Sequence, residues 1–192
     1  MQEREMTDTM AADRPLATQI ALEVGLAATF TVGMVAAAHL KIPLPFTPVP
    51  LTLQTLVALL AGGLLGARLG FVSATGYLLL SLLGLSVMAG PSFVGPTGGY
   101  VLGFVLAAVV MGLAMRHVER GATALWLVAG AAGGSLVILL CGSLWLSAYT
   151  GQDWVKALQL GALPFLLGDA LKTAAAVVVV RQLRPRLRRV LG

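Results

Sequence analysis

Apolar residues run along this chain in six long blocks, separated by short polar breaks or by breaks rich in glycine and proline. The blocks lie at about 17–40, 51–66, 69–89, 100–115, 122–149 and 164–180. A helix of about 20 apolar residues crosses the hydrocarbon core of a bilayer. The pattern therefore predicts an all-α integral membrane protein with six transmembrane helices. The second block follows Pro50 and the sixth begins at Pro164, and proline suits the first turn of a helix. The fifth block is long enough to tilt or break. Three parts follow: a cytoplasmic tail over 1–15, a six-helix membrane domain over 16–182, and a basic cytoplasmic tail over 183–192.

A second periodicity lies inside the first block. Ala17, Ala21, Gly25, Thr29, Gly33 and Ala37 recur every fourth residue, and such positions share one helix face. Small residues on a membrane helix let another helix approach closely. The partner is either a helix of the same chain or another membrane protein docking on Ala21, Gly25, Thr29 and Gly33. Glu23 interrupts the same block near its beginning.

Composition strengthens the membrane reading. Of 192 residues, 58% are hydrophobic and 11% are charged, with a mean hydropathy of +0.91. Soluble domains carry about 25% charged residues, and disorder requires the opposite balance. The net charge of +5 suggests nucleic-acid binding only until its location is read. Arg181, Arg184, Arg186, Arg188 and Arg189 crowd the C-terminal end, as expected of a basic anchor on the cytoplasmic membrane surface.

With six spans, the N-tail, the 66–69 turn, the 116–121 loop and the C-tail fall on one side. They hold ten arginines, against Lys41 and Lys156 in the opposite loops. Excess Lys and Arg marks the cytoplasmic side, so both termini are expected there. The acidic residues of the first fifteen positions do not form the basic region of a signal peptide. Cys141 is the only cysteine, so no internal disulfide forms, and its apolar surroundings read as packing.

The informative polar residues gather at the outer ends of the blocks. The stretch IPLPFTPVPLTLQ (42–54) is stiffened by four prolines and carries Thr47, Thr52 and Gln54. A helix cap accounts for one hydroxyl but not for a side-chain amide at that depth. Here Thr52 and Gln54 are expected in the first turn of the second helix. The stretch AGPSFVGPTGGY (89–100) holds four glycines, Gly98 and Gly99 among them, and ends at Tyr100. Glycines let the main chain approach a ligand closely; a plain surface hairpin is the alternative. Tyr100 offers a ring face and a hydroxyl, or marks the interfacial aromatic belt.

The sharpest element is PFLLGDALK (164–172). Asp169 and Lys172 share one helix face, and a helix starting at Pro164 places Asp169 about 7 Å along its axis. Unpaired charges at mid-membrane cost about 2.5–3.5 kcal/mol each on insertion scales. The two must pair, face water or meet a ligand. One reading is a structural tie between helices. The other is a site for a solute bearing a carboxylate, with the lysine attracting the anion and Asp169 orienting it or accepting ligand N–H groups.

Several chemistries find no support. Lys172-Thr173 lacks the glycine-rich sequence of a phosphate loop. His39 and His117 fall on opposite sides of the membrane and cannot share a metal. No serine, histidine and acid cluster for nucleophilic catalysis, so no enzyme is expected. No internal repeat of the kind common in ion-coupled carriers is present. A ligand-binding membrane subunit, energised by a partner, fits these absences.

The same stretches resemble the BioY family, the biotin-specific S-components of energy-coupling factor (ECF) transporters. The likeness is carried by IPLPFTPVPLTLQTLVALLAG (42–62), LLGARLG (64–70), YLLLSLLGL (77–85), GPTGGYVLGF (95–104) and PFLLGDALK (164–172). The chain departs from the family pattern at GLSV-Met-AGP, where GLPV and a Gly-Gly turn are common, and at Leu167-Gly168-Asp169, where PGD is common. The resemblance implies an ECF S-component-like bundle in a bacterial plasma membrane, no catalysis and no cofactor. It implies biotin as the transported ligand. It further implies association with a transmembrane coupling protein and cytoplasmic ABC-type ATPases. Its pocket maps onto Thr47, Thr52, Gln54, Tyr77, Gly98, Gly99, Tyr100, Asp169 and Lys172. A subunit for another carboxylated vitamin and a structural membrane protein are the rival readings.

Overall fold

In the computed structural model of the chain, residues 15–84, 93–119 and 124–191 are described. Helices dominate: α1 (Leu16–His39), α2 (Gln54–Leu82), α3 (Gly98–Glu119), α4 (Leu125–Thr150), the short α5 (Trp154–Gly161) and α6 (Leu166–Leu191). A 3₁₀ turn, Leu163–Phe165, leads into α6. Among the described residues, the one departure from helices and turns is a two-residue ladder, β1 (Lys41–Ile42) against β2 (Leu51–Thr52), antiparallel. It closes the proline-rich loop onto itself.

Among the described residues, five helical stretches are long and apolar enough to cross a bilayer: α1, α2, α3, α4 and the continuous stretch Trp154–Leu187. The expected count of six differs because the second and third blocks form one helix, α2. That helix is not straight. Gly66 sits at φ 83° and ψ 178° in its middle, a conformation open essentially to glycine alone. A methyl placed on Gly70 would stand 2.8 Å from the Gly62 Cα. Two glycines on either side of the bend thus bring two antiparallel arms, 54–65 and 67–82, into backbone contact. The expected turn at 66–69 is therefore present as a single-residue reversal.

Other boundaries shift for local reasons. Helix α2 starts at Gln54, so Thr52 belongs to β2 rather than to a first helical turn. The expected outer loop at 150–157 instead enters α5, whose first turn is capped by Asp153 accepting from the Lys156 backbone N–H at 2.9 Å. Helix α6 begins at Leu166 and runs on to Leu191 through Pro185. The N-tail to residue 14 and parts of the expected third span, second outer loop and fifth span (85–92 and 120–123) lie outside the described residues.

The core lies between the arms of α2, α3, α4 and α6, around Leu59, Tyr77, Met111, Ile138, Leu146 and Val180. Helix α1 packs from outside against α2, where the Thr31 hydroxyl donates to the Ser73 carbonyl at 2.8 Å. Only 17% of its most apolar stretch is buried, so most of its surface is left for lipid or a partner.

The bundle has two chemically distinct ends. At one end stand the start of α1, the Gly66 bend, the end of α3 and the last turns of α6. Arg68 meets Glu23 at 3.5 Å there. Arg184 donates to Glu119 and, at 2.6 Å, to the Gly63 carbonyl. At the other end, the proline-rich loop, residues 93–97, α5 and the start of α6 surround a chamber.

Candidate functional site

Every long helix except α1 contributes a wall to this chamber. Val49, Pro50 and Thr52 come from the proline-rich loop, Gln54 and Thr55 from the first arm of α2, and Tyr77 from its second arm. Thr97 precedes α3, which supplies Tyr100, Val101 and Phe104; α4 supplies Ile138 and Leu139. Phe165 of the 3₁₀ turn and Asp169 and Lys172 of α6 complete the lining. The walls bound a recess of about 490 Å³ of empty space that is continuous with solvent at its mouth. Of the lining residues only Pro50 and Thr52 are half-buried and the rest are buried, so the mouth lies beside the β1–β2 ladder.

The charged pair is the chamber's most polar feature. Lys172 Nζ donates to Asp169 Oδ1 at 2.8 Å, and the side chains are 9% and 5% exposed. Ser135 of α4 donates to the other carboxylate oxygen at 3.2 Å. Asp169 also occupies the first turn of α6, where the helix dipole favours a negative charge. The carboxylate is thus held from three directions. Lys172 has three N–H donors, and among the described residues Asp169 is its only hydrogen-bond partner. Two donors remain for a guest.

A second polar strip lies on the α2 side of the chamber. The Thr52 hydroxyl donates to Gln54 Oε1 at 3.3 Å, and Gln54 Nε2 donates to the Tyr77 hydroxyl at 2.6 Å. Tyr100 donates to the Gly161 carbonyl at 2.5 Å. That bond ties its ring upright between α5 and Phe165, whose ring lies edge-on at 6.3 Å. Tyr77 and Phe104 stand at 6.4 Å, tilted by 54°. Apolar surface and a few placed polar groups together make the chamber fit for a small, partly polar solute.

The structure sorts the sequence-predicted residues. Thr52, Gln54, Tyr77, Tyr100, Asp169 and Lys172 meet at the chamber. Thr47 does not line it: its hydroxyl donates to the Leu160 carbonyl at 2.8 Å and accepts from the Val49 N–H at 3.3 Å, pinning the loop to α5. Gly98 and Gly99 do not line it either. A side chain on either would overlap Trp145, so these glycines serve the close packing of α3 on α4.

Thr97 and Thr55 join the lining without having been singled out in the sequence. The Thr97 hydroxyl is buried with no hydrogen-bond partner among the described residues. Its segment is anchored by Trp145, whose indole N–H donates to the Gly95 carbonyl at 2.9 Å and whose ring meets Phe93 edge-on at 5.5 Å. A burial of this kind leaves a hydrogen bond for something else in the chamber to make.

Of the small-residue stripe on α1, Ala21, Gly25 and Thr29 are exposed, and nothing lies within 4 Å of a side chain placed on Gly25. Gly33 is half-buried against Val57, and Ala37 is buried. The stripe therefore divides into an internal packing half and an open half.

Fold and chamber together define a polytopic α-helical membrane protein built around a mostly apolar chamber with a buried ion pair in its wall. Comparison with known proteins narrows that class. The BioY family model matches residues 6–189, and the chain belongs to the BioY family. It is 40% identical to a probable biotin transporter BioY of Pyrococcus horikoshii, over 85% of this chain and 97% of that protein. It is 36% identical to a biotin transporter BioY of Thermotoga maritima, over 82% and 93% of the two chains. Its fold matches the crystal structure of an S-component for biotin from an ECF-type ABC transporter with a TM-score of 0.73 and 28% identity, covering 90% of this chain and 95% of that one.

Proposed function

We propose that this chain is the biotin-binding membrane subunit of a vitamin uptake transporter, and that it binds and passes on a solute rather than transforming it. The observation that carries the reading is the Asp169–Lys172 pair in the wall of an apolar chamber, with two lysine donors left over. Biotin has a carboxylate at one end and a ureido ring at the other. The carboxylate would meet Lys172. The ureido N–H and C=O groups would meet the remaining polar groups, Asp169, Gln54, Thr52 and Thr97. The fused rings would rest against Tyr77, Tyr100, Phe104 and Phe165.

Counting the two arms of α2 as separate passes gives six passes and returns both chain ends to one side of the bilayer. The ten-to-two partition of basic residues makes that the cytoplasmic side of the plasma membrane. A transmembrane coupling protein, itself driven by cytoplasmic ABC-type ATPases, would dock on the open half of the α1 stripe, at Ala21, Gly25 and Thr29. Gly33 would only border this surface.

Equilibrium titration of the purified protein tests the reading. Saturable binding of biotin, undiminished by lipoate, is expected. Preference for lipoate would assign another carboxylated solute. Absence of any thermal stabilisation by biotin would leave a structural membrane protein.

A further inference from the structure

A second concavity lies outside the bundle, between α3 and α4, at the arginine-rich end and away from the chamber. Val110, Leu113, Ala114, Ala129 and Gly130 form its sides, and His117 and Trp126 close its polar end. Its empty space, open to the side, is about 540 Å³. It opens laterally, since Leu113 and Trp126 are 42% and 45% exposed. The His117 and Trp126 rings stack at 4.3 Å and 17°, fixing the two helix ends across the groove.

An apolar groove open to the side of a membrane helix bundle faces lipid chains. An empty groove would forfeit dispersion contacts along its walls. The small residues Ala114, Ala129 and Gly130 hollow it out, which suits a flexible chain better than another helix. His117 lines the polar end of the groove, and the cation next to it in the chain, Arg116, points to the headgroup. Arg116 and His117 occupy the last turn of α3. Arg68 and Arg184 at the same end of the bundle are paired with acids, whereas Arg116 has no acid partner among the described residues. Glu119, the acid nearest in sequence, is engaged by Arg184 and so does little to repel an anion.

We infer that the α3–α4 groove holds one acyl chain of an acidic phospholipid, with Arg116 and His117 meeting its headgroup. The site is independent of the chamber and would exist whatever solute the chamber takes.

Quenching of Trp126 fluorescence by brominated acyl chains tests this. The full chain would be reconstituted in phosphatidylcholine vesicles containing brominated phosphatidylglycerol or, at equal mole fraction, brominated phosphatidylcholine. Subtracting the signal of Trp126→Phe isolates Trp126. The acidic lipid is expected to be preferred about fivefold, the effect of roughly one cation near an anionic headgroup. Arg116→Gln should bring that preference close to one. Ala129→Phe should fill the groove and remove the close-range quenching. Equal quenching by both lipids in the wild type would overturn the inference, and that comparison needs no variant. A preference unchanged in Arg116→Gln would overturn it as well. So would self-association abolished by Ala129→Phe without lipid preference, which would give the groove to a second copy of the chain.

Discussion

Gln54 and Tyr77 stand 23 residues apart within one helix, yet the amide of the first donates to the hydroxyl of the second at 2.6 Å. In a straight helix their backbones would be about 35 Å apart. The contact exists because Gly66 reverses the chain and Gly62 and Gly70 let the arms close. A bend at the arginine-rich end therefore sets the distance between two chamber residues at the other.

Gly66→Ala should be destabilising out of proportion to the single methyl added. A residue with a Cβ at φ 83° and ψ 178° costs roughly 1–3 kcal/mol, and relief by backbone movement would shift Gln54 against Tyr77. The expected outcome is a lower unfolding midpoint together with weaker biotin binding. Gly133→Ala is the control: its added carbon meets only Val110 at 3.6 Å, an ordinary contact, and helix propensity favours alanine. If Gly66→Ala behaved like this control, the bend would not govern the chamber.

Lys172→Ala should weaken biotin by about 10- to 150-fold, the range for a hydrogen bond to a charged group. Binding of biotin amide, which lacks the carboxylate, should fall much less. The single variant also leaves Asp169 buried without its cation, which is itself destabilising. The double variant Asp169→Asn, Lys172→Met removes both charges, so the unfolding midpoint should recover while biotin binding stays weak. Recovery of binding in the double variant would reduce the pair to a tie between helix turns.

Reading the sequence reached the pair because Asp and Lys at i and i+3 in an apolar block are costly and conspicuous. It reached the reversal at 66–70 because glycines and arginine interrupt the hydropathy there, but it counted two helices where the backbone hydrogen bonding continues as one. Helix α5 was missed although Asp153 is a good cap. Its eight residues are too few to form a membrane-length apolar block. The partner of Thr47, the Leu160 carbonyl of α5, is therefore not visible from the apolar blocks. Gly98 and Gly99 are ambiguous in the sequence for a related reason. The same lack of a Cβ admits a ligand or a neighbouring helix, and only the position of Trp145, distant in sequence, decides between them.

Thr97 provides the converse case, a chamber residue that resembles turn punctuation in the sequence. Its hydroxyl is buried in the chamber with no partner among the described residues. Thr97→Val keeps the shape and removes the hydroxyl. Stability should be unchanged or slightly raised, since a buried polar group without a partner is unfavourable. Biotin affinity should drop by about 2- to 13-fold, the equivalent of one neutral hydrogen bond of 0.5–1.5 kcal/mol. Calorimetric titration beside a thermal melt separates the two effects. A loss of stability with unchanged affinity would mean that the hydroxyl serves the fold.

Tyr100 reverses that expectation, because its hydroxyl is already spent on the protein. It donates to the Gly161 carbonyl at the end of α5, while its ring faces the chamber and packs edge-on to Phe165. Tyr100→Phe therefore deletes a buried bond and strands a carbonyl, at a cost of about 1–3 kcal/mol in stability, but keeps the ring wall. Biotin affinity should fall by no more than a few-fold. Tyr100→Ala removes the wall as well and should cut affinity far more steeply than the phenylalanine variant. Equal losses of affinity in the two variants would show that the hydroxyl, released from Gly161, donates to the ligand.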